Sequence, residues 1–356
     1  MKYCVKCMEN LSDDSNICNA CGAEQNIKIP IHHLPIGTVL NNRYYVCSCI
    51  DENDFELTYL GKDILIDENV IIKEYFPNKF VGRRSDKSLN VFNIECKGSH
   101  NYELSRDTFV KEATALQNMN GLESLINIED VFAENNTAYY VRDYVYGTTL
   151  ESYIELNGCI EEDFIVKHML PIINSLSKMN KQGIIHCNIS PHTIMLLEDD
   201  SVRLFDFGLA VHSLVASDNP LFLEKPSGYI ALETYARKPN LVPATDVYSI
   251  CATLYKSITG VTPPSVLDRH IRDEIKSPYA LGMTVSPNVE YAIMKGLSLH
   301  QVGRYESMAE LYSAISNLNA EEENIDKTEQ DISDLNFDGS RENNNSKPNI
   351  RVKFTL

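Results

Sequence analysis

At Gly147 the spacing of apolar residues changes character. Upstream, residues 44–50, 70–73, 125–132 and 138–145 form short runs rich in Val, Ile, Tyr and Thr, as strands do. One stretch there, 107–118, instead places Phe109, Ala113 and Leu116 at helical spacing. Downstream, 164–180, 246–258, 288–297 and 308–318 read as helices, the first of them kinked at Pro171. Strands and helices separated in this way predict an α+β architecture: a sheet half carrying one inserted helix, then a helical half.

The first 30 residues follow neither pattern. Cys4 and Cys7 form one C-x-x-C pair and Cys18 and Cys21 a second, with ten residues between the pairs. Each such turn aims two thiolates at one ion, and two turns complete a closed tetrahedral zinc site with no position left for a catalytic water. Gly22 suits the turn after the second pair, whereas Met8 holds the matching place after the first. The segment between the pairs is polar, so this unit has almost no core without its metal. We therefore expect a structural zinc ribbon over 1–30. The other six cysteines, at 47, 49, 96, 159, 187 and 251, have no such spacing and are expected to be isolated thiols.

Charge narrows the partners. The net charge is −18, of which the ribbon carries −1, the segment 320–356 carries −4 and the rest lies in between. A background of that sign repels polyanions, so nucleic acid is not an expected partner. No apolar run approaches the roughly 18 residues of a membrane span, and the amino terminus has no export signal. These features predict a cytoplasmic chain without membrane insertion. From Ala320 onward Glu, Asp and Asn dominate and large apolar residues are scarce, which predicts a disordered acidic, Asn-rich tail over 320–356.

His186-Cys187-Asn188, with Asp206-Phe207-Gly208 about twenty residues later, resembles the paired loops of protein kinases. With Val70-Ile71-Ile72-Lys73-Glu74 upstream, the chain is most similar to bacterial Ser/Thr kinases of the eukaryotic type, from Leu34 to Leu318. The resemblance implies a bilobal domain over 36–319, with a β-rich lobe over 36–146 and an α-helical lobe over 147–319. It also implies a set of roles. Lys73 matches the lysine that grips the nucleotide phosphates, Glu112 the helix glutamate paired with it, and Asp206 the Mg²⁺ ligand. Glu233 matches the glutamate that closes the activation segment, Arg304 its ion partner, and Asp246 the buried aspartate that braces the catalytic loop beside His186.

The same alignment exposes departures. Asn188 stands where the family has its catalytic aspartate, and an amide is a poor proton acceptor. Thr193 replaces the metal-binding asparagine. Cys187 replaces the arginine that reads a phosphorylated activation segment. The glycine loop is replaced by Asp51-Glu52-Asn53-Asp54-Phe55-Glu56, whose side chains obstruct the backbone approach to phosphate and whose carboxylates repel it. Ile71 and Arg142 occupy positions that face the base in the family, and Arg142 is expected to be salt-bridged there by Glu112 or Asp206. These departures predict severely weakened Mg-ATP binding and a pseudokinase: a kinase fold kept as a regulatory or scaffolding module for a protein partner. Two other readings are an atypical active Ser/Thr kinase built on Lys73, Glu112 and Asp206, and a recruitment module centred on the ribbon.

Overall fold

The computed structural model describes residues 2–84, 88–94, 99–209, 228–236 and 239–316. The chain separates into one compact unit, Met1–Ile315, and a second, Ser316–Leu356. The expectation for 320–356 falls outside the described residues, as does Cys96.

The first unit opens with a small hairpin, β1 (Lys2–Tyr3) and β2 (Asn10–Leu11). A six-stranded antiparallel sheet follows, built from β3 (Val39–Leu40), β4 (Tyr44–Glu52), β5 (Glu56–Asp63) and β6 (Glu68–Tyr75), with β9 and β10 below. Two short strands, β7 (Val81–Arg83) and β8 (Val91–Asn93), pair with each other and lead into helix α1 (Ser99–Gln117). Strands β9 (Ile128–Glu134) and β10 (Thr137–Asp143) complete the sheet in the order β3-β4-β5-β6-β10-β9.

Past Gly147 the chain is mainly helical. A three-stranded sheet of β11 (Gly147–Thr149), β12 (Ile194–Leu197) and β13 (Val202–Leu204) accompanies helices α2 (Leu150–Asn157) and α3 (Leu170–Lys181). Then come α4 (Pro243–Thr259), α5 (Val266–Ile271), α6 (Pro287–Gly296) and α7 (Met308–Ser316). The two-lobed division that the sequence implies is present. The helical run expected over 164–180 is continuous from Glu162 to Lys181, and its irregularity, a π-helical turn over Ile165–Met169, comes immediately before α3, whose first turn holds Pro171. Proline has no N–H to donate to the preceding turn, and the wider π turn just before it is where the regular bonding pattern is interrupted.

The side-chain period of two sorts the large sheet into two faces. On one face Tyr75 packs against Phe109 of α1, with ring centroids 5.0 Å apart, and Phe109 in turn against Tyr140 at 5.9 Å. The end of that face from which β10 leads into the helical half, the hinge end, is covered by the amino-terminal hairpin, because Tyr3 and Met8 join Tyr45, Cys47, Leu60 and Ile71 in one buried cluster flanked by Tyr144. Tyr3 meets Tyr45 edge-on at 5.0 Å, and the Ser48 hydroxyl donates to the Val5 carbonyl at 2.5 Å. On the opposite face the Glu74 carboxylate is fully buried and accepts from Arg83, from Tyr59 at 2.9 Å and from Tyr139 at 2.7 Å.

The helical lobe is tied together by two buried charges. Asp246, in the first turn of α4, accepts from the His186 and Cys187 backbone N–H groups at 2.8 and 2.9 Å and from the Asn180 amide at 3.2 Å. Arg304 is 3% exposed and donates to both carboxylate oxygens of Glu233 at 2.8 and 3.1 Å. It also donates to the carbonyls of Ser298, Ala244 and Leu299. Among the described residues no helix is long and apolar enough to cross a membrane.

Arg304→Leu leaves the Glu233 carboxylate with the Thr245 hydroxyl but no counter-charge from Arg304, and removes the donor to three carbonyls. Urea denaturation of the variant should show a loss of about 3–5 kcal/mol; a loss below about 1 kcal/mol would mean that this pair does not hold the lobe together.

Candidate functional site

Lys73 lies in the middle of β6, whose neighbours place Thr58 and Tyr140 on either side of it. Its side chain is on the face that α1 covers and is almost wholly buried. A buried ammonium needs a counter-charge, and the structure supplies one from the other lobe. The Asp206 carboxylate, just after β13, lies 3.0 Å from Lys73 Nζ. A second carboxylate, Glu56 at the start of β5, lies 3.9 Å from the same nitrogen.

Arg142 joins the group from β10, where its register partner is Ile71. Its guanidinium reaches Asp206 at 3.6 Å and stacks over the Phe205 ring with its carbon 4.9 Å from the centroid. Of the two carboxylates expected to bridge Arg142, the structure selects Asp206. Burial pushes the Asp206 carboxyl up, but Lys73 and Arg142 together bring it below the usual range. Glu56 goes the other way, because burial dominates and Lys73 compensates only in part, raising it to about 7.

The expected pairing of Lys73 with Glu112 does not form. Glu112 is half-buried in α1 and has no hydrogen bond or ion pair among the described residues. Lys73 is already occupied by Asp206 and Glu56, which leaves no unmet positive charge to draw Glu112 in.

The segment expected in place of a glycine loop is the β4–β5 hairpin. Its carboxylates do not act together as the sequence suggests. Asp51 and Glu52 are exposed, and Glu52 accepts from His32 and His33. Asp54 lies 3.8 Å from Lys79, and the Asn53 side chain closes the turn by accepting from the Phe55 and Glu56 N–H groups. Glu56 alone turns inward, since the period of two puts it on the face of Thr58 and, across the strand, Lys73.

The loop that carries His186 is held from two sides. Asp246 fixes its backbone from below, and Gly208 N–H donates to the His186 carbonyl at 2.8 Å. His186 and Phe207 pack with ring centroids 4.7 Å apart. Cys187 and Asp206 both adopt left-handed backbone, with φ of 61° and 57°, a conformation that costs a non-glycine residue of order 1 kcal/mol. Asn188 is exposed and its amide donates to the Asp206 carbonyl at 2.9 Å. The Thr193 hydroxyl is buried, donates to the Asn188 and Ser190 carbonyls and accepts from Ser190 N–H. It is committed to closing its own turn. Burial pushes the Cys187 thiol well up, with the carboxylates of Asp246, Glu233 and Glu112 adding to the shift.

At the amino terminus the four cysteine sulfurs lie within 4.8 Å of one another. Cys4 and Cys21 sulfurs are 3.6 Å apart, as are those of Cys7 and Cys18. A tetrahedral thiolate set with metal–sulfur bonds of about 2.3 Å has sulfurs about 3.8 Å apart, so this group is close enough to hold one metal ion. The asymmetry between Met8 and Gly22 disappears in the backbone, since both are left-handed, at φ 60° and 71°. Met8 N–H donates to the Cys4 carbonyl and Gly22 N–H to that of Cys18, so the turns are alike. The Gln25 side-chain amide donates a hydrogen bond to Cys4 Sγ at 3.4 Å. Burial raises the Cys4 thiol, but the N–H groups of Cys7 and Lys6 and the Gln25 amide outweigh it and bring it down to about 6.

The family described as Protein kinase domain matches residues 85–320. A probable serine/threonine-protein kinase of Clostridium acetobutylicum is 28% identical over 323 residues, covering 89% of this chain and 45% of the relative. The serine/threonine-protein kinase PrkC of Bacillus subtilis is 24% identical over 296 residues, covering 79% of this chain and 41% of the relative. The chain thus spans less than half the length of these curated relatives. Among solved structures, the apo form of PpkA-294 superposes with a TM-score of 0.65 at 25% identity, covering 80% of this chain and 100% of that one.

Glu56 offers a direct test of the buried charge group. Its pKa is raised from the ordinary 4.5 to about 7, so ionisation opposes folding: the cost is absent below pH 4.5, grows to about pH 7 and is constant above. Glu56→Gln removes it, and the variant should gain about 3 kcal/mol on its parent between pH 4 and pH 8. Unfolding curves that keep a constant separation across that range would place Glu56 outside the buried network.

Proposed function

The chain belongs to the protein kinase domain family, and on that premise we propose that it is a member without phosphotransfer, serving as a regulatory or scaffolding platform for a protein partner. The observation that carries this reading is the group formed by Lys73, Asp206, Arg142 and Glu56, whose charges are spent on one another. In an active relative the resemblance gives Lys73 to nucleotide phosphate and Asp206 to Mg²⁺. Here a buried guanidinium sits against Asp206 where a metal ion would have to bind.

The side chains present do not suit Mg-ATP. Phosphoryl transfer depends on positioning and on neutralising charge at the phosphates, and Glu56 brings a carboxyl group to that place. The Thr193 hydroxyl is engaged in its own turn, and the Asn188 amide donates towards Asp206 instead of accepting a proton. The docked amino-terminal hairpin supports the same reading, since Met8 and Tyr3 pack on Ile71, which shares a strand face with Lys73. The names of the curated relatives favour an atypical active Ser/Thr kinase; the Lys73–Asp206 pair is the feature such an enzyme would use.

For the four-cysteine group we propose zinc in a structural role. Cys4, Cys7, Cys18 and Cys21 would hold it and leave no open position, which makes the hairpin a rigid cover and not a catalytic centre.

Two measurements test this. Melting of the full chain with and without millimolar Mg-ATP should give superimposable curves, and incubation with radiolabelled ATP should label neither the chain nor generic protein substrates. Label transfer abolished by Asp206→Ala would establish an active kinase in its place. Elemental analysis of protein purified without added metal should find about one equivalent of zinc per chain more than in Cys4→Ser and Cys18→Ser; equal zinc content in parent and variants would refute the cysteine site.

A further inference from the structure

Outside the charge group and the cysteines, one other cluster has the make-up of a ligand set. His32 and His33 lie in the segment that joins the amino-terminal hairpin to the large sheet, and Glu52 ends β4. His32 Nε2 is 3.0 Å and His33 Nε2 2.6 Å from the same Glu52 oxygen, with the imidazole centroids 4.4 Å apart. All three ligand atoms lie within 4.8 Å of one another.

This arrangement is built from beneath. Arg83, fixed by the buried Glu74, donates to the His32 carbonyl at 2.5 Å. Tyr59, bonded to the same glutamate, accepts from the Leu34 N–H at 3.1 Å. The two histidines are thereby held at both ends of a short stretch, over Leu34, which is buried. Their rings are aimed by packing: His33 meets Tyr59 edge-on at 6.4 Å and His32 lies tilted against Phe76 at 6.1 Å. The side chain of His33 is 11% exposed, whereas those of His32 and Glu52 remain 41% and 54% exposed, which leaves an entry path from solvent.

We propose that His32, His33 and Glu52 form a second metal site, for a borderline divalent cation such as Zn²⁺. Two imidazole nitrogens and one carboxylate oxygen select a transition ion over Ca²⁺ or Mg²⁺, which prefer oxygen donors. Metal–ligand bonds of about 2.0–2.2 Å in tetrahedral geometry require the imidazole and carboxylate donors to move apart by up to about 0.8 Å from their hydrogen-bonded positions. Both rings then carry their hydrogen on Nδ1 and turn the Nε2 lone pairs to the ion. Three protein ligands leave a position for water or for a donor from a partner. The ion ties the connector of the amino-terminal hairpin to the strand end beside the β4–β5 turn, and so fastens that hairpin against the sheet.

The test uses tag-free, full-length protein equilibrated by dialysis against about 10 µM free Zn²⁺ and analysed for metal. The parent should hold one equivalent more than Glu52→Ala and than His32→Ala, whatever the cysteine group holds. Titration should show the second equivalent weakened at least tenfold in either variant, and the upward shift in melting temperature that it causes in the parent should disappear. Equal zinc content in parent and variants would overturn the site, as would a second equivalent that survives in Glu52→Ala and is lost with Cys4→Ser. Because Glu52 also bonds both imidazoles without metal, the quantity compared is the zinc-induced shift relative to melting in chelator; a shift of equal size in parent and Glu52→Ala would overturn the proposal.

Discussion

Lys73 and Asp206 meet across the junction of the two halves, one carried by the middle of the sheet and the other by the loop after β13. A buried pair of this kind costs several kcal/mol per ion in lost hydration, and it persists only where each charge has enough partners. Here Arg142 is a second cation at Asp206 and Glu56 lies within reach of Lys73, so loss of Asp206 or Lys73 leaves the remaining buried charges poorly compensated, whereas the Glu56 carboxyl adds a cost when it ionises. That dependence gives a physical reason for Lys73 and Asp206 to be retained in a chain proposed to need neither for catalysis. The pair has become a structural bolt between the lobes, and Arg142, stacked on Phe205 next to Asp206, is the part that makes it self-sufficient.

How much of this was legible in the sequence depends on the distance over which each interaction is decided. The change of period at Gly147 reports burial along single elements, and the sheet half and helical half follow from it. The places of Asp246 and of Glu233 with Arg304 came from motif order, and in the fold these residues bind the loop backbone and each other. The partner of Lys73 was not legible, because three carboxylates from three elements compete for it and only the register of the strands and the tertiary placement of each element decide between them. Glu56 read as one of four carboxylates in a loop; once β5 pairs with β6, alternation turns it inward and leaves Asp51 and Glu52 at the surface. The glutamate network on the other face was within reach of the same reasoning, since Glu74 follows Lys73 and must point the opposite way.

Met8 shows a different limit. By residue type it breaks the likeness between the two C-x-x-C turns, yet its backbone is as left-handed as that of Gly22. The side chain resolves the conflict: a glycine there would turn as well but would have nothing to place in the cluster with Tyr45, Cys47, Leu60 and Ile71. The strain of one left-handed residue, of order 1 kcal/mol, is offset by burying a methionine side chain, for which about 1.5–3 kcal/mol is typical.

That trade makes the amino-terminal hairpin part of the sheet's core and not an appendage. Its own interior is little more than four sulfurs, so whatever holds those sulfurs together also holds Tyr3 and Met8 over the hinge end of the sheet. Loss of the hairpin would uncover Ile71, Leu60 and Cys47 on the face that carries Lys73, and burial keeps the Cys47 thiol up at about 12, an inert group while it is covered. The connector with His32 and His33 lies between the two, anchored to Glu74 through Arg83 and Tyr59. The cover, the connector and the buried charges therefore belong to one continuous packing arrangement, in which the order of the amino-terminal residues bears on the face where a nucleotide would have to bind.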